Sequence, residues 1–553
     1  MENNQTNEKL LAEIDRLKKE LKKKKKYGLV WEDKPEDVVE MCKEKLPVLK
    51  EVKSKEIITD KNKPVNLLIE GDNYHALSVL NYTHKGKIDV IYIDPPYNTG
   101  AKDWKYNNDY VDGEDAFRHS KWLSSMNNRL QLAKNLLKDS SVIAVAIDDN
   151  EIASLVLLMD QIFGEDNRIG IICVQHHPRG RTQSNFFSTV HEYCLFYAKN
   201  KSKLTLDFCF ESDRGEEVES LIRAREDATP ELRPNLYYPI YFNPKTKKID
   251  LEKRSKEDIE ILPITSNGKR VWKLIKESFL EELNQGKIFV ELNKDKYHVY
   301  RKIQRSNVNK AKTIWIESDY DANHHGTELL KKILNKPNPF PFPKSLYTLF
   351  DILYLLTKQN KEAVILDYFA GSGTTGHAVL ELNKRIGGER KFILCTNNEN
   401  NICEEVTYPR IQKVIEGYKN KKNGENIESL GGNLKYFKTD FVDYKESTDR
   451  NKIKLTKEAV EMLCVKEGTF ELVMENEEFK IFKNQDHYAG IIFDQLAIKD
   501  FKKAIKNIKG KISVYIFSLG DDSFEDEFED IKQKVKLSPI PEAILKVYRR
   551  IYK

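Results

Sequence analysis

No stretch of the 553-residue chain approaches the roughly 18 consecutive apolar residues that a membrane-spanning helix needs, so no membrane segment is expected. Residues 1–10 are polar and lack the apolar core of a secretory signal, which makes the cytoplasm the expected location. Cysteine is scarce and scattered: the seven residues Cys42, Cys173, Cys194, Cys209, Cys395, Cys403 and Cys464 form no Cys-x-x-Cys pair and no ligand-like spacing. That excludes a disulfide scaffold, gives no expectation of a metal, and points to free thiols in a reducing compartment. The adjacent pairs His176-His177 and His324-His325 change nothing, because neighbouring histidines rarely chelate and no cysteine stands at ligand spacing from them. The first pair, with Pro178, Arg179, Gly180 and Arg181, reads as a basic loop, and 323–326 reads as a loop. A phosphate-binding loop of Walker type and a nuclease-like carboxylate cluster are also missing, so any ATP-driven cleavage would fall to another subunit. There is little excess charge: 92 Lys and Arg stand against 87 Asp and Glu, a net +5. A balanced chain can still gather its positive charge on one face, so this total decides nothing about partners.

What the chain does have is apolar and aromatic mass, 40% hydrophobic residues with 26 Tyr and 25 Phe, which argues against disorder. At roughly 100–200 residues per domain, the length suggests about three to four structural units. Leu10, Ile14, Leu17 and Leu21 make one short coiled-coil seam before the lysines at 22–26, so residues 1–55 read as an N-terminal helical segment, either a dimerisation element or a surface helix. Over residues 56–200, short β-branched runs at 67–69, 88–93 and 142–147 alternate with helical spacing at 74–82 and 116–137. Near-continuous apolar runs of this length are buried parallel strands. Residues 201–335 lose the alternation and interleave Tyr237, Tyr238, Tyr241, Trp272, Tyr297, Tyr300 and Trp315 with Lys and Arg. Residues 336–438 resume it, with a helix over 349–356 and strands at 363–366 and 391–394. The expectation is one doubly wound α/β domain split by an insertion, followed by a C-terminal α+β domain at 439–553 that carries the acidic stretch 521–530.

The sharpest chemical signal is the strand at 89–93 running into Asp94-Pro95-Pro96-Tyr97. At the carboxyl end of a parallel strand such a turn lies in the crevice where doubly wound sheets bind ligands. Each proline fixes its φ and lacks an N–H, so the turn is rigid and the carbonyls before the prolines are held outward as acceptors. A carboxylate, a fixed carbonyl and a tyrosine ring together suit a planar group bearing an exocyclic amine. A second apolar strand leads into Asp367-Tyr368-Phe369-Ala370-Gly371-Ser372-Gly373, with a helix opening at about Thr374. Gly371 and Gly373 permit close approach of a ligand to the backbone. The loop lacks the Lys-Ser/Thr ending of a phosphate-binding loop, so it suits an adenosine-like cofactor without a phosphate.

With these two motifs the sequence resembles the amino-directed DNA methyltransferases, which use S-adenosyl-L-methionine as methyl donor. Asp-Pro-Pro-Tyr is the form typical of adenine-N6 enzymes; Ser in its first position is more usual for cytosine-N4 enzymes. The order of catalytic motif, insertion and glycine-rich motif resembles the circularly permuted beta class, nearest to the modification (Mod) subunits of type III restriction-modification systems. The stretches 27–32, 66–73, 98–100, 147–151, 191–199 and 340–344 resemble further segments of that group. The resemblance implies that Asp94 and the Pro95 carbonyl, held by Pro96, accept hydrogen bonds from the amine of a flipped-out base, and that Tyr97 stacks on it. It also implies that Phe369, Ala370, Gly371 and Gly373, with Asp367, line the cofactor pocket, that Asp72 reaches the adenosyl amine, and that Glu399 or Asn397 holds the ribose. Lys344, at the entry to the cofactor strand, is a further candidate. The implied partners are double-stranded DNA read by the insertion, an ATP-dependent restriction subunit and a second copy of the chain. Cytosine-N4 transfer, a solitary methyltransferase, an RNA or protein methyltransferase and an inactive DNA-binding assembly subunit remain as alternatives.

Overall fold

A computed structural model of the chain describes residues 29–552, apart from 181–185, 224–226, 267, 294–295, 422–423, 445–447, 486, 521 and 523. The coiled-coil seam lies outside the described residues. Residues 208–311 form one compact unit and the rest of the chain forms another.

The larger unit is organised by an eleven-stranded sheet. Its central strands are β1 (Val65–Glu70), β2 (Ile88–Ile93), β3 (Leu137–Ile147), β4 (Arg168–Gln175), β5 (His191–Ala198), β6 (Val364–Asp367), β7 (Lys391–Thr396) and β8 (Asn433–Asp443). They lie in the order β8-β1-β7-β6-β2-β3-β5-β4, and among these eight only β5 runs against its neighbours. The labelled helices are α1 (Asn73–Thr83), α2 (Arg118–Leu136), α3 (Ile152–Phe163), α4 (Leu346–Thr357), α5 (Thr374–Ile386), α6 (Val460–Glu467) and α7 (Glu542–Ile551). Alternation along the strands shows why both faces need a cover. Ile69, Ile91, Ile93, Val145 and Cys395 pack with α1, α2 and α3 in one cluster, while their equally buried neighbours Leu68, Val90, Tyr92, Ala144 and Leu394 point to the other face. Helix α4 packs on α5 apart from that cluster, as the doubly wound reading requires. The strand order reverses at β6 and β2, which places the two motifs at the same carboxyl edge of the sheet.

Two of the expected boundaries move. Lys45–Glu51 pairs antiparallel with β8, with Glu51 opposite Phe437, so this part of the supposed N-terminal helical segment is an edge strand of the catalytic sheet. Its run Leu46-Pro47-Val48-Leu49 is fully buried, which explains the recruitment. The boundary expected at 438/439 falls inside β8. Residues beyond it do build a five-stranded sheet, Glu471–Glu475, Phe479–Lys483, Tyr488–Ile492, Ile512–Phe517 and Val535–Ile540. Yet they share the main core rather than standing apart: Met462 and Leu463 of α6, and Ile544 and Leu545 of α7, belong to the cluster that holds Leu77 and Leu80 of α1. The Tyr548 hydroxyl donates to the Pro47 carbonyl at 2.5 Å. The expected loop at 323–326 is instead a helical turn, Asn323–Glu328, in which Gly326 lies too close to the Pro343 carbonyl to admit a side chain.

The unit at 208–311 is built on antiparallel pairs, principally Cys209–Ser220 with Lys296–Lys310 and Ile288–Asn293. Two of the aromatics that interleave with basic residues along the sequence belong to its core: Trp272 and Tyr238 are buried, and the Trp272 indole N–H donates to the Tyr238 carbonyl at 2.7 Å. Trp315 is also buried and belongs to the other unit, on a short strand beside β4. A single chain of this composition fills a small core with aromatics before it spends them on a surface.

Because α7 is keyed into the main core, Leu545→Ala is expected to cost about 2–5 kcal/mol and to lower the stability of the catalytic sheet together with the C-terminal sheet. Hydrogen exchange at α1 under mild denaturant checks this; protection of α1 unchanged by the substitution would contradict it.

Candidate active site

Asp94 and Asp367 are neighbours because β2 and β6 are neighbours. Ile365 lies opposite Val90 and Leu366 opposite Ile91, so both strands deliver their next residues to one edge. The turn after β2 is braced from beneath. The Trp122 indole N–H on α2 donates to the Pro96 carbonyl at 2.7 Å. Asn98 is fully buried with φ at 57°, a left-handed position that asparagine tolerates better than most residues. Its amide donates to Glu151 at 2.5 Å and accepts from the Trp104 indole at 3.1 Å. Glu151, wholly buried at the start of α3, is also bonded to His119 Nδ1 at 2.5 Å.

In front of this scaffold lies a buried charge cluster. Lys344 Nζ is 3.2 Å from Asp94 Oδ1 and 2.5 Å from Glu192 Oε2, and it stands 4.6 Å from the centre of the Tyr97 ring. Glu192 Oε2 accepts from the Tyr97 hydroxyl at 3.0 Å, and Lys344 also bonds that hydroxyl. Burial raises the Asp94 carboxyl above its ordinary range; Lys344 opposes the rise and Glu192 adds to it. For Glu192 burial also acts upward, but Lys344, His176 and the Tyr97 hydroxyl together outweigh it and hold the carboxyl below its ordinary value. Burial disfavours the Lys344 ammonium, yet the two carboxylates together hold it above the usual lysine value. Asp94 Oδ1 is buried and makes no aligned hydrogen bond, so an acceptor is available inside the pocket. Two carboxyl groups and one ammonium thus meet beside the Tyr97 ring.

The glycine-rich loop is held as tightly. Asp367 accepts from the Phe369 N–H at 2.9 Å and from the Thr375 hydroxyl at 2.5 Å, so its carboxyl staples the loop to the first turn of α5. Burial lifts that carboxyl to about 7. Gly371 and Gly373 have φ of 48° and 77°, and a Cβ on Gly371 would press within 3.2 Å of the Phe340 ring. The loop rests on Arg410, a fully buried arginine with no carboxylate partner among the described residues. It donates to Thr374 Oγ1 at 2.7 Å and to Ser372 Oγ at 3.1 Å, and burial brings its pKa down to about 9. Asp72 caps α1 by accepting from the Tyr74 N–H at 2.7 Å, and it stays partly exposed beside the loop's neighbouring strand end. Glu399, just past β7, is partly exposed and pairs with Lys105 at 2.8 Å.

Most of the site residues read from the sequence therefore stand at one edge of one sheet: Asp94 to Tyr97 after β2, Asp72 after β1, Asp367 to Gly373 after β6 and Glu399 after β7. Lys344 differs. Its ammonium sits with Asp94, Tyr97 and Glu192 rather than with the glycine-rich loop. Glu192, Glu151, Asn98, Trp122 and Arg410 were not assigned roles from the sequence. A charged residue at the head of the otherwise apolar strand His191–Ala198 was the one signal that marked Glu192.

The Asp-Pro-Pro-Tyr turn and the glycine-rich loop thus stand side by side at a topological switch point, where doubly wound sheets bind ligands. Residues 88–407 match the family model described as DNA methylase, and the chain belongs to that family. It is 36% identical over 345 residues to the type II methyltransferase M.KpnI of Klebsiella pneumoniae, covering 59% of this chain and 79% of that one. It is 30% identical over 440 residues to the type III restriction-modification enzyme EcoPI Mod subunit of Escherichia phage P1, covering 69% and 67%. It is 29% identical over 376 residues to the StyLTI Mod subunit of Salmonella typhimurium, covering 63% and 55%. The chain is a DNA methyltransferase. Such an enzyme draws its methyl group from S-adenosyl-L-methionine, and the residues present fit that molecule: side-chain-free backbone at Gly371 and Gly373, a partly exposed Phe369 ring, and partly exposed carboxylates at Asp72, which Arg129 faces at 3.5 Å, and at Glu399 for amine and hydroxyl groups. No membrane-spanning helix occurs among the described residues.

The charge cluster makes opposite predictions for its two flanking members. Lys344→Met removes the cation that holds Asp94 down, so the acid limb of the pH profile of kcat/KM moves to higher pH by about one unit. Glu192→Gln removes a like charge, so the limb moves to lower pH. Parallel displacement by both variants would contradict the assignment. Trp122→Phe leaves the Pro96 carbonyl buried without its donor, at about 1–3 kcal/mol, and lowers kcat more than it raises the KM for DNA.

Proposed function

We propose that the chain transfers a methyl group to the N6 amine of adenine in double-stranded DNA, within a restriction-modification system of type III kind. The observation that carries this reading is Asp94 Oδ1, a buried carboxylate oxygen that faces Lys344 at 3.2 Å and has no hydrogen-bond partner among the described residues. S-adenosyl-L-methionine supplies an electrophilic methyl group when bound, held by Phe369, Ala370, Gly371 and Gly373 with Asp72 and Glu399 at the flanking strand ends. An adenine amine is a weak nucleophile because its lone pair is delocalised into the ring. Asp94 and the Pro95 carbonyl accept its two N–H bonds and so favour the pyramidal nitrogen that forms as the C–N bond is made. Positive charge develops on that nitrogen, and the fixed carboxylates of Asp94 and Glu192 stabilise it in a desolvated setting. Tyr97, tied through its hydroxyl to Glu192, offers its ring to the base. The amine lies inside the stack of a duplex, so the target must be flipped out, at a cost of a few kcal/mol.

Adenine is favoured over cytosine by Asp in the first position of the Asp-Pro-Pro-Tyr turn. The Mod likeness supports a separate ATP-dependent restriction subunit as partner, assembly as a homodimer and action in the cytoplasm, where such DNA is found. The compact unit at 208–311 is the target reader, positioned on phosphates by Lys and Arg and on base edges by Arg, Asn or Gln.

Asp94→Ala is expected to abolish methyl incorporation into duplex DNA while the affinity for S-adenosyl-L-methionine, measured by calorimetry, stays within about twofold. A variant that still methylates removes Asp94 from the mechanism, and one that loses cofactor binding makes it structural.

A further inference from the structure

Among the described residues, the two most exposed large apolar side chains are Phe187 and Phe186, at 94% and 92% exposure. They are consecutive in sequence and sit on the connection between β4 and β5. That connection is not a free loop at its base. Beyond the last ladder pair, Gln175 with His191, the His177 N–H donates to the Val190 carbonyl at 3.1 Å, so the two arms continue as a hairpin past the sheet edge. They still touch at Gly180, where a Cβ would fall 2.2 Å from Ser188 Oγ. Because β5 runs against the parallel strands, its first residues stand at their carboxyl edge, and Glu192 there is in the catalytic cluster with Lys344 and Tyr97. Phe187 is five residues from Glu192, on an arm projecting outward from the pocket, with the exposed Arg179 on the facing arm.

We infer that Phe187 is a stacking wedge, the side chain that enters the duplex and fills the gap left when the target base is extruded into the Asp94 pocket. Four observations lead there. A phenylalanine left in water forgoes the burial that folding rewards, so full exposure is explained by a partner outside the chain. The paired base of the connection ties the arm that carries the ring to the strand that supplies Glu192. Arg179 supplies a cation for the backbone of a nearby strand. The event proposed at this pocket, extrusion of one base, creates an apolar slot of one ring's thickness, which apolar side chains fill in other duplex-distorting proteins. The ring recovers part of the stacking lost on extrusion, and so lowers the cost of reaching the reactive state without touching the reacting atoms. Phe187 is thus a positioning residue rather than a catalytic one.

This inference rests on base flipping at the Asp94 pocket, and its test separates the two. Methylation by the full chain is measured on a duplex with the target adenine normally paired, and on the same duplex with an abasic site opposite the target, where extrusion is already easier. Phe187→Ala is expected to lose roughly tenfold or more in kcat/KM on the paired duplex. On the abasic duplex it is expected to come within about twofold of the unsubstituted chain, and Phe187→Trp is expected to keep activity on both. With 2-aminopurine as the target base, the alanine variant should show a smaller fluorescence rise on binding the paired duplex. An equal loss on both duplexes would mean that the ring contacts the flipped base or only supports the fold, and would overturn the wedge. No loss on the paired duplex would overturn it as well. Failure of the unsubstituted chain to methylate the paired duplex would instead strike the functional reading beneath it.

Discussion

β2 and β6 lie side by side in the middle of the sheet, Ile365 against Val90 and Leu366 against Ile91, although the whole insertion separates them in the chain. Everything at the site inherits its position from that contact. Both strands are buried on both faces, so their register is fixed by packing: a one-residue slip would turn every buried side chain to the opposite layer. The residues that follow them, the Asp-Pro-Pro-Tyr turn and the glycine-rich loop, are consequently held as neighbours by the most stable part of the molecule. A parallel pair joined across so long a connection brings no local gain when it forms. It depends on helices α1 to α5 to close both faces around it.

The second layer of the design is the support beneath each loop. Trp122 holds the Pro96 carbonyl, Glu151 and Trp104 hold Asn98, Asp367 holds the backbone at Phe369, and Arg410 holds Ser372 and Thr374. Each is buried, and each bonds to a group that would otherwise be unsatisfied. The charges in front of this support are few. Lys344 lies between Asp94 and Glu192, holding the Glu192 carboxyl low and opposing the rise that burial gives Asp94.

What was legible in the sequence follows the range of the interactions. The strands at 88–93 and 391–396 and the helix at 118–136 are written in local periodicity, and they are where the pattern puts them. Asp94, Tyr97, Gly371 and Gly373 could be found because rigid turns and left-handed glycines leave a signature in neighbouring residues. Lys344 and Glu192 could not be paired from the sequence, since their meeting depends on β5 running antiparallel, which no local pattern records. The placement of Lys45–Glu51 and of α7 in the main core was hidden for the same reason: a buried edge strand and an amphipathic helix look alike whether they pack on their own domain or on another. The burial of Tyr238 and Trp272 was not legible either, because aromatic residues among lysines serve a small core as readily as a surface.

The central claim is that the Asp94 pocket directs a methyl group to an adenine amine in DNA. Incubation of duplex DNA with the chain and S-adenosyl-L-methionine carrying a labelled methyl group, followed by digestion to nucleosides and mass spectrometry, reads it directly. The account predicts label in N6-methyladenine at a defined sequence context. Label in N4-methylcytosine, or label that enters RNA or protein in preference to DNA, would contradict it.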